Sequence, residues 1–122
     1  MNKLRGKVAI ITGGSGGIGK ATAEAFIEEG ANVLIFDLNE SDLIKSCKDI
    51  GSNNLSYFVG DVTKYEDNIK AVEIVKEKYG GLDIFVANAG IEGEVKNIEE
   101  YNFTMNDNDV NMTIKNFIEQ ND

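Results

Sequence analysis

Five glycines in eight residues, Thr12-Gly13-Gly14-Ser15-Gly16-Gly17-Ile18-Gly19, limit what this chain can fold into more than any other segment. They follow the apolar run Val8-Ala9-Ile10-Ile11 and precede a helical pattern, so they stand at a strand-to-helix junction. Such a junction exposes backbone N–H groups at the start of a helix, where the helix dipole adds partial positive charge. That combination suits a pyrophosphate. The glycines serve separate ends: one makes the tight turn, one lets phosphates approach closely, and one packs the helix on the strand. Gly14-x-Gly16-x-x-Gly19 fits the general dinucleotide fingerprint, whereas Gly13-x-x-x-Gly17-x-Gly19, led by Thr12, fits another spacing. A plain structural turn is the alternative to both.

The remaining pattern alternates. Val8–Thr12 reads as a buried strand, and residues 17–29 as a helix with Ile18, Ala21, Ala25 and Phe26 inward, closed by Gly30. Residues 32–36 form the next apolar run, ending on Asp37. Residues 41–50 place Leu43, Ile44, Cys47 and Ile50 on one helical face and stop at Gly51. Leu55–Val59 is a third strand. Thr63 and Glu66 form a T-x-x-E capping box that opens a helix through Tyr79, with Ile69, Val72, Val75 and Tyr79 on its core face. Residues 82–87 are a fourth strand leading into Asn88-Ala89-Gly90. Strands alternating with helices of this length imply parallel pairing through right-handed crossovers. The expected fold is α/β: a Rossmann-like three-layer domain whose parallel sheet is truncated to about four strands in the order 3-2-1-4. The whole chain, 1–122, is one such domain, incomplete at its C-terminal end.

Composition narrows the partners. A net charge of −9 argues against nucleic acid and against anionic membrane surfaces. A dinucleotide is also an anion, so local dipoles and N–H groups must hold it rather than the overall field. Cys47 is the one cysteine, which excludes an internal disulfide and fits a reducing, cytoplasmic setting. With no nearby base it reads as an apolar-face residue rather than a nucleophile. No apolar run approaches the ~20 residues of a membrane span, and Met1-Asn2-Lys3-Leu4-Arg5 leads into a strand rather than a signal peptide. The N-x-S/T triplets at Asn54, Asn102 and Asn111 are then chance matches. The chain has no histidine, the commonest metal ligand and acid/base group. Asp107-x-Asp109-x-Asn111 copies the opening of an EF-hand loop, but Met112 stands where glycine is needed and Ile118 where a bidentate glutamate is needed. No metal site is expected.

Together these residues resemble the short-chain dehydrogenase/reductase family. Thr12-Gly13-x-x-x-Gly17-Ile18-Gly19 is similar to that family's T-G-x-x-x-G-I-G, Asp61-Val62 to its D-V after the third strand, and Asn88-Ala89-Gly90 to its N-A-G after the fourth. The likeness covers residues 3 to about 100, and residues 50–72 and 78–91 look most like the plant-type branch that oxidises secondary alcohols of small metabolites. The resemblance implies that the turn bearing Thr12, Gly13, Ser15, Gly16, Gly17, Ile18 and Gly19 holds the pyrophosphate. It also implies that Asp37, followed by Leu38, holds the adenosine ribose. Asp61 would bond the adenine amine, Val62 would pack on the ring, and Asn88, Ala89 and Gly90 would line the path to the nicotinamide. Asp37 would repel the 2′-phosphate of NADP, and no Arg or Lys occupies Ser15, Gly16, Leu38 or Asn39 to rescue it, so the expected cofactor is NAD. The bland alternative is that Asp37 merely ends a strand and caps the next turn.

The family's chemistry uses a Tyr-x-x-x-Lys pair and a serine on the fifth strand; a lysine-lowered phenol then acts as acid/base. Here none of Tyr57, Tyr65, Tyr79 and Tyr101 has lysine four residues later, and no serine follows Ser56. No catalytic residue is therefore expected in this chain. A small alcohol or ketone would be a substrate only if the missing half were supplied. Val110-Asn111 resembles the V-N carrying the family's structural asparagine, although the stretch from Thr104 to Asn111 is about one helical turn, ~3.6 residues, shorter than the family pattern. Three readings follow: the NAD-binding part of an oxidoreductase, a non-catalytic nucleotide binder, or a truncated chain that self-associates. The last rests on the fourth strand's outer edge, expected to be unpaired and open to a homo-oligomer or a partner chain.

Overall fold

A computed structural model describes residues 2–88 and the backbone of the strand Glu94–Asn97. The elements in chain order are β1 (Val8–Thr12), α1 (Gly17–Glu28), β2 (Asn32–Asp37), α2 (Glu40–Ile50), β3 (Leu55–Val59), α3 (Tyr65–Tyr79), β4 (Ile84–Ala87) and β5 (Glu94–Asn97). The sheet order is β3-β2-β1-β4-β5. The first four strands pair in parallel, as the alternating pattern requires, with Ile10 level with Leu34 and Phe85, and Leu34 level with Ser56.

All five residues of β1 are buried, because helices cover both faces of the strand, as a parallel sheet needs. On one face Val8, Ile10, Leu34, Phe36 and Phe85 pack against Ala71, Val72 and Val75 of α3. On the other, Ala9, Ile11, Val33, Ile35 and Val86 pack against Ala23 of α1 and Leu43 of α2. Phe36 and Phe58 add a tilted ring pair with centroids 5.1 Å apart on the α3 side. Among the described residues, no helix is long and apolar enough to cross a membrane.

The structure corrects four expectations. The outer edge of β4 is not open: β5 pairs with it antiparallel, Val86 facing Val95. Only residues 88–93 separate the two strands, too few for the dozen or more a parallel crossover needs, so the chain can only turn back. The inward face of α1 is also rotated from expectation. Ala21 and Ala25 are exposed and Ile18 is 70% exposed, while Ala23 is buried and Phe26 and Ile27 pack on the core. A Cβ on Gly19 would collide with the Gly13 carbonyl, so backbone contact there, rather than the apolar residues alone, sets the helix's rotation. Ile44 on α2 is likewise exposed, with Ser46 buried in its place. Finally, Thr63 and Glu66 form no capping box. α3 begins at Tyr65 with Lys64 as N-cap and no side-chain cap bond, and Thr63 donates to Asp61 instead. Gly51 closes α2 as expected, with φ of 66°, and Gly80 closes α3 in the same way, with φ of 92°.

Candidate functional site

The C-terminal ends of β1, β2 and β4 and the loop after β3 meet at one rim of the sheet. That rim is stitched across the strands. Gly13 N–H donates to Phe36 C=O at 2.9 Å, and Gly60 N–H to Asp37 C=O at 2.9 Å. The Thr12 hydroxyl donates to Val86 C=O at 3.3 Å and accepts from Asn88 N–H at 2.9 Å, and Asn88 Nδ2 reaches Gly13 C=O at 3.4 Å. Thr12, Gly13, Ser15, Gly16, Gly17, Ile18, Gly19, Asp37, Leu38, Asp61, Val62 and Asn88 lie along this rim. Ala89, Gly90, Asn111 and the Asp107–Asp109 run lie outside the described residues.

The glycine turn has two kinds of glycine. Gly13 has φ of 67°, the left-handed region, and turns the chain out of β1. Gly14 has no room for a Cβ because Ile35 of β2 fills the space, and Gly19 abuts the Gly13 backbone. Gly17, by contrast, faces open space, with nothing within 4 Å of an added Cβ. Gly16 is the N-cap of α1, whose first turn has no side-chain cap bond and no acidic residue. No side chain of the first turn thus caps or offsets the positive end of this helix.

Asp37 stands beside that turn. Its Oδ2 accepts from the Ser15 N–H at 3.2 Å and from the Ser15 hydroxyl, and its Oδ1 from Leu38 N–H at 2.8 Å. It does not cap α2; Asn39 does, its Oδ1 accepting from Asp42 N–H at 3.1 Å. Phe36, Asp37, Leu38, Gly60, Asp61 and Val62 line a small cleft next to it, open to solvent. Within the cleft, Asp61 Oδ1 accepts from the Thr63 hydroxyl at 2.6 Å and from Thr63 N–H at 2.9 Å, which holds the carboxyl below its usual range. Asp61 Oδ2 and the Val62 N–H have no hydrogen-bond partner among the described residues.

Two residues that sequence reasoning passed over brace this cleft. Asp67 Oδ2 accepts from Asp61 N–H at 2.8 Å, and Asn68 Nδ2 donates to Val62 C=O at 2.8 Å. Asn68 is buried at 3% exposure. The sequence signal for Asn68 is a polar residue on the otherwise apolar, buried face of α3.

Other polar groups sit elsewhere. Burial pushes the Cys47 thiol up, away from reactivity. Ser56, Tyr79 and Lys78 come together, with Ser56 Oγ 3.0 Å from Tyr79 Oη and Lys78 Nζ 5.7 Å from the ring centroid. Ser56 lies three residues before Val59, the partner of Asp37 at the rim, which is ~10 Å along the strand at ~3.3 Å per residue. This trio is therefore apart from the rim.

The family model for short chain dehydrogenase matches residues 7–119. Zerumbone synthase of Zingiber zerumbet is 43% identical over 93 residues, covering 75% of this chain and 35% of that protein. Tropinone reductase-like 1 of Erythroxylum coca is 47% identical over 93 residues, 75% of this chain and 34% of that one. A short-chain dehydrogenase/reductase (glucose/ribitol dehydrogenase) from Brucella melitensis superposes with a TM-score of 0.70 at 33% identity, covering 74% of this chain and 38% of that structure. The 3-ketoacyl-(acyl-carrier-protein) reductase from Brucella melitensis, complexed with NADH, gives a TM-score of 0.64 at 34% identity, over 68% of this chain and 34% of that one. The chain spans about a third of the length of the curated relatives it matches.

Proposed function

Because the chain belongs to the short-chain dehydrogenase/reductase family, we propose that it is the NAD-binding part of an oxidoreductase that moves hydride between NAD and a secondary alcohol or ketone. The observation that carries this is the start of α1, an uncapped positive helix end beside Gly17, whose Cα faces open space. Backbone N–H groups there suit a pyrophosphate, and a glycine that no protein atom requires suits a ligand passing close by. Ser15, Gly16 and Ile18 belong to the same turn.

In this reading Asp37 accepts from the adenosine ribose hydroxyls. Of its three present donors, only the Ser15 hydroxyl can rotate away to make room. Asp61 and Val62 take the adenine, and Thr12 fixes Asn88 at the mouth of the path towards the nicotinamide. When bound, the dinucleotide supplies the hydride-carrying ring; the chain's part is to bind and orient it. Asp37 selects NAD over NADP because its carboxylate would face the 2′-phosphate with no Arg or Lys at Ser15, Gly16, Leu38 or Asn39 to offset the repulsion.

The 122 residues contain neither a Tyr-x-x-x-Lys pair nor a serine after Ser56, so on its own this chain binds dinucleotide without turning over alcohol or ketone. With one half-buried thiol it suits a reducing, cytoplasmic setting. The test is a titration of NADH followed by the fluorescence of the reduced nicotinamide, in a chain that has no tryptophan to interfere. Saturable binding, stronger than for NADPH and lost in Asp37→Ala and Gly17→Val, is expected. Folded protein that leaves NADH fluorescence unchanged overturns the proposal.

A further inference from the structure

One side of the cleft beside Asp37 is built from the loop that follows β3. Residues 61–64 carry no strand or helix, yet several of their backbone groups are tied down by α3 and by one another. Lys64 N–H donates to Asp61 C=O at 2.9 Å, and Asp61 N–H donates to Asp67 Oδ2 at 2.8 Å. Asn68 Nδ2 donates to Val62 C=O at 2.8 Å and to Lys64 C=O at 3.3 Å. Asp67 also lies under the cleft floor: a Cβ on Gly60 would come within 3.3 Å of its Oδ2 and closer still to the rings of Phe36 and Phe58. Asn68 leaves its own Oδ1 buried without a partner, a cost that its two donated bonds to the loop must outweigh.

Two cleft groups are left over, the acceptor Asp61 Oδ2 and the donor Val62 N–H. An acceptor beside a donor complements the amine and ring nitrogen on the edge of adenine. It opposes hypoxanthine, which presents a carbonyl and a ring N–H in those places. The relative placement of these two groups is what Asp67 and Asn68 control, one through the N–H of Asp61 and the other through the C=O of Val62.

We propose that Asp67 and Asn68 are positioning residues of the cleft, which set its preference for a 6-amino purine over a 6-oxo purine by fixing Asp61 and Val62 relative to each other. Neither is among the residues that line the cleft, so each acts through Asp61 or Val62. The inference rests on the reading of Asp61 as the adenine contact.

The experiment compares affinities of the full chain for NADH and for reduced nicotinamide hypoxanthine dinucleotide, by nicotinamide fluorescence, with folding checked by circular dichroism. The wild type is expected to prefer NADH by about tenfold or more. Asp67→Ala and Asn68→Ala each bring the two affinities to within about twofold, whereas Asp67→Asn, which keeps an acceptor oxygen, retains the preference. A merely structural loss would weaken both ligands equally and leave the ratio unchanged. An unchanged ratio in either folded alanine variant, with Asp61→Ala abolishing it, overturns the inference while leaving the Asp61 reading intact. If one alanine variant does not fold, the other decides. NADH binding without any preference in the wild type overturns both the inference and the Asp61 contact. No NADH binding at all removes the proposed function beneath them.

Discussion

Adding a Cβ to each residue of the glycine turn separates the glycines by physical cause. At Gly14 the added atom meets Ile35, and at Gly19 it meets the Gly13 carbonyl, so both serve the fold. At Gly17 it meets nothing, and the residue's φ is not in the left-handed region. Gly19→Ala is therefore expected to cost about 1–3 kcal/mol through overpacking. Gly17→Ala, at a helix start, should leave stability unchanged or raise it by up to about 1 kcal/mol. Urea denaturation of the two variants checks the contrast, and NADH titration should show that the stable one, Gly17→Ala, binds more weakly. Equal destabilisation by both would mean that Gly17 has a structural role after all.

At the scale of the elements, the three helices differ in how their N-termini are treated. α2 has Asn39 as side-chain cap with Glu40 and Asp42 in its first turn, and α3 has Glu66 and Asp67. α1 has neither cap nor acid. α1 thus forgoes about 1 kcal/mol of available capping at the end where the pyrophosphate is proposed to sit. Gly16→Asp would supply both the cap and the charge, with only an ordinary 3.5 Å contact to the Gly13 carbonyl. The expected outcome is a melting temperature equal to or above the wild type's and no detectable NADH binding, because the carboxylate occupies and neutralises the anion site. Retained binding would show that the helix end is not where the pyrophosphate sits.

For the molecule as a whole, the sheet's extent governs solution behaviour. Four parallel strands carry the fold, and β5 covers the β4 edge that would otherwise offer a row of unpaired N–H and C=O groups. A chain ended at residue 93 lacks that cover. It should sediment faster as concentration rises, whereas the 122-residue chain at the same concentrations does so less. Identical sedimentation of the two would mean that β5 does not suppress association. The net charge of −9 acts in the same direction for the full chain, by keeping copies apart at low salt.

Much of this was legible before any coordinates. The glycine spacing, the apolar runs at Val8–Thr12 and Leu55–Val59, and Asp37 at a strand end determine local conformation and period directly, so the parallel order and the rim residues follow from them. What the sequence could not set were relations between segments. The rotation of α1 depends on Gly19 touching Gly13, a contact between backbones that carries no hydrophobic signal. Likewise, T-x-x-E satisfies a capping pattern, yet α3 takes Lys64 as its N-cap and the Thr63 hydroxyl donates to Asp61 instead. The direction of β5 was decided by the shortness of residues 88–93. Local backbone preference is written residue by residue, whereas which of several competing partners a polar group takes is fixed only when the tertiary structure sets their distances.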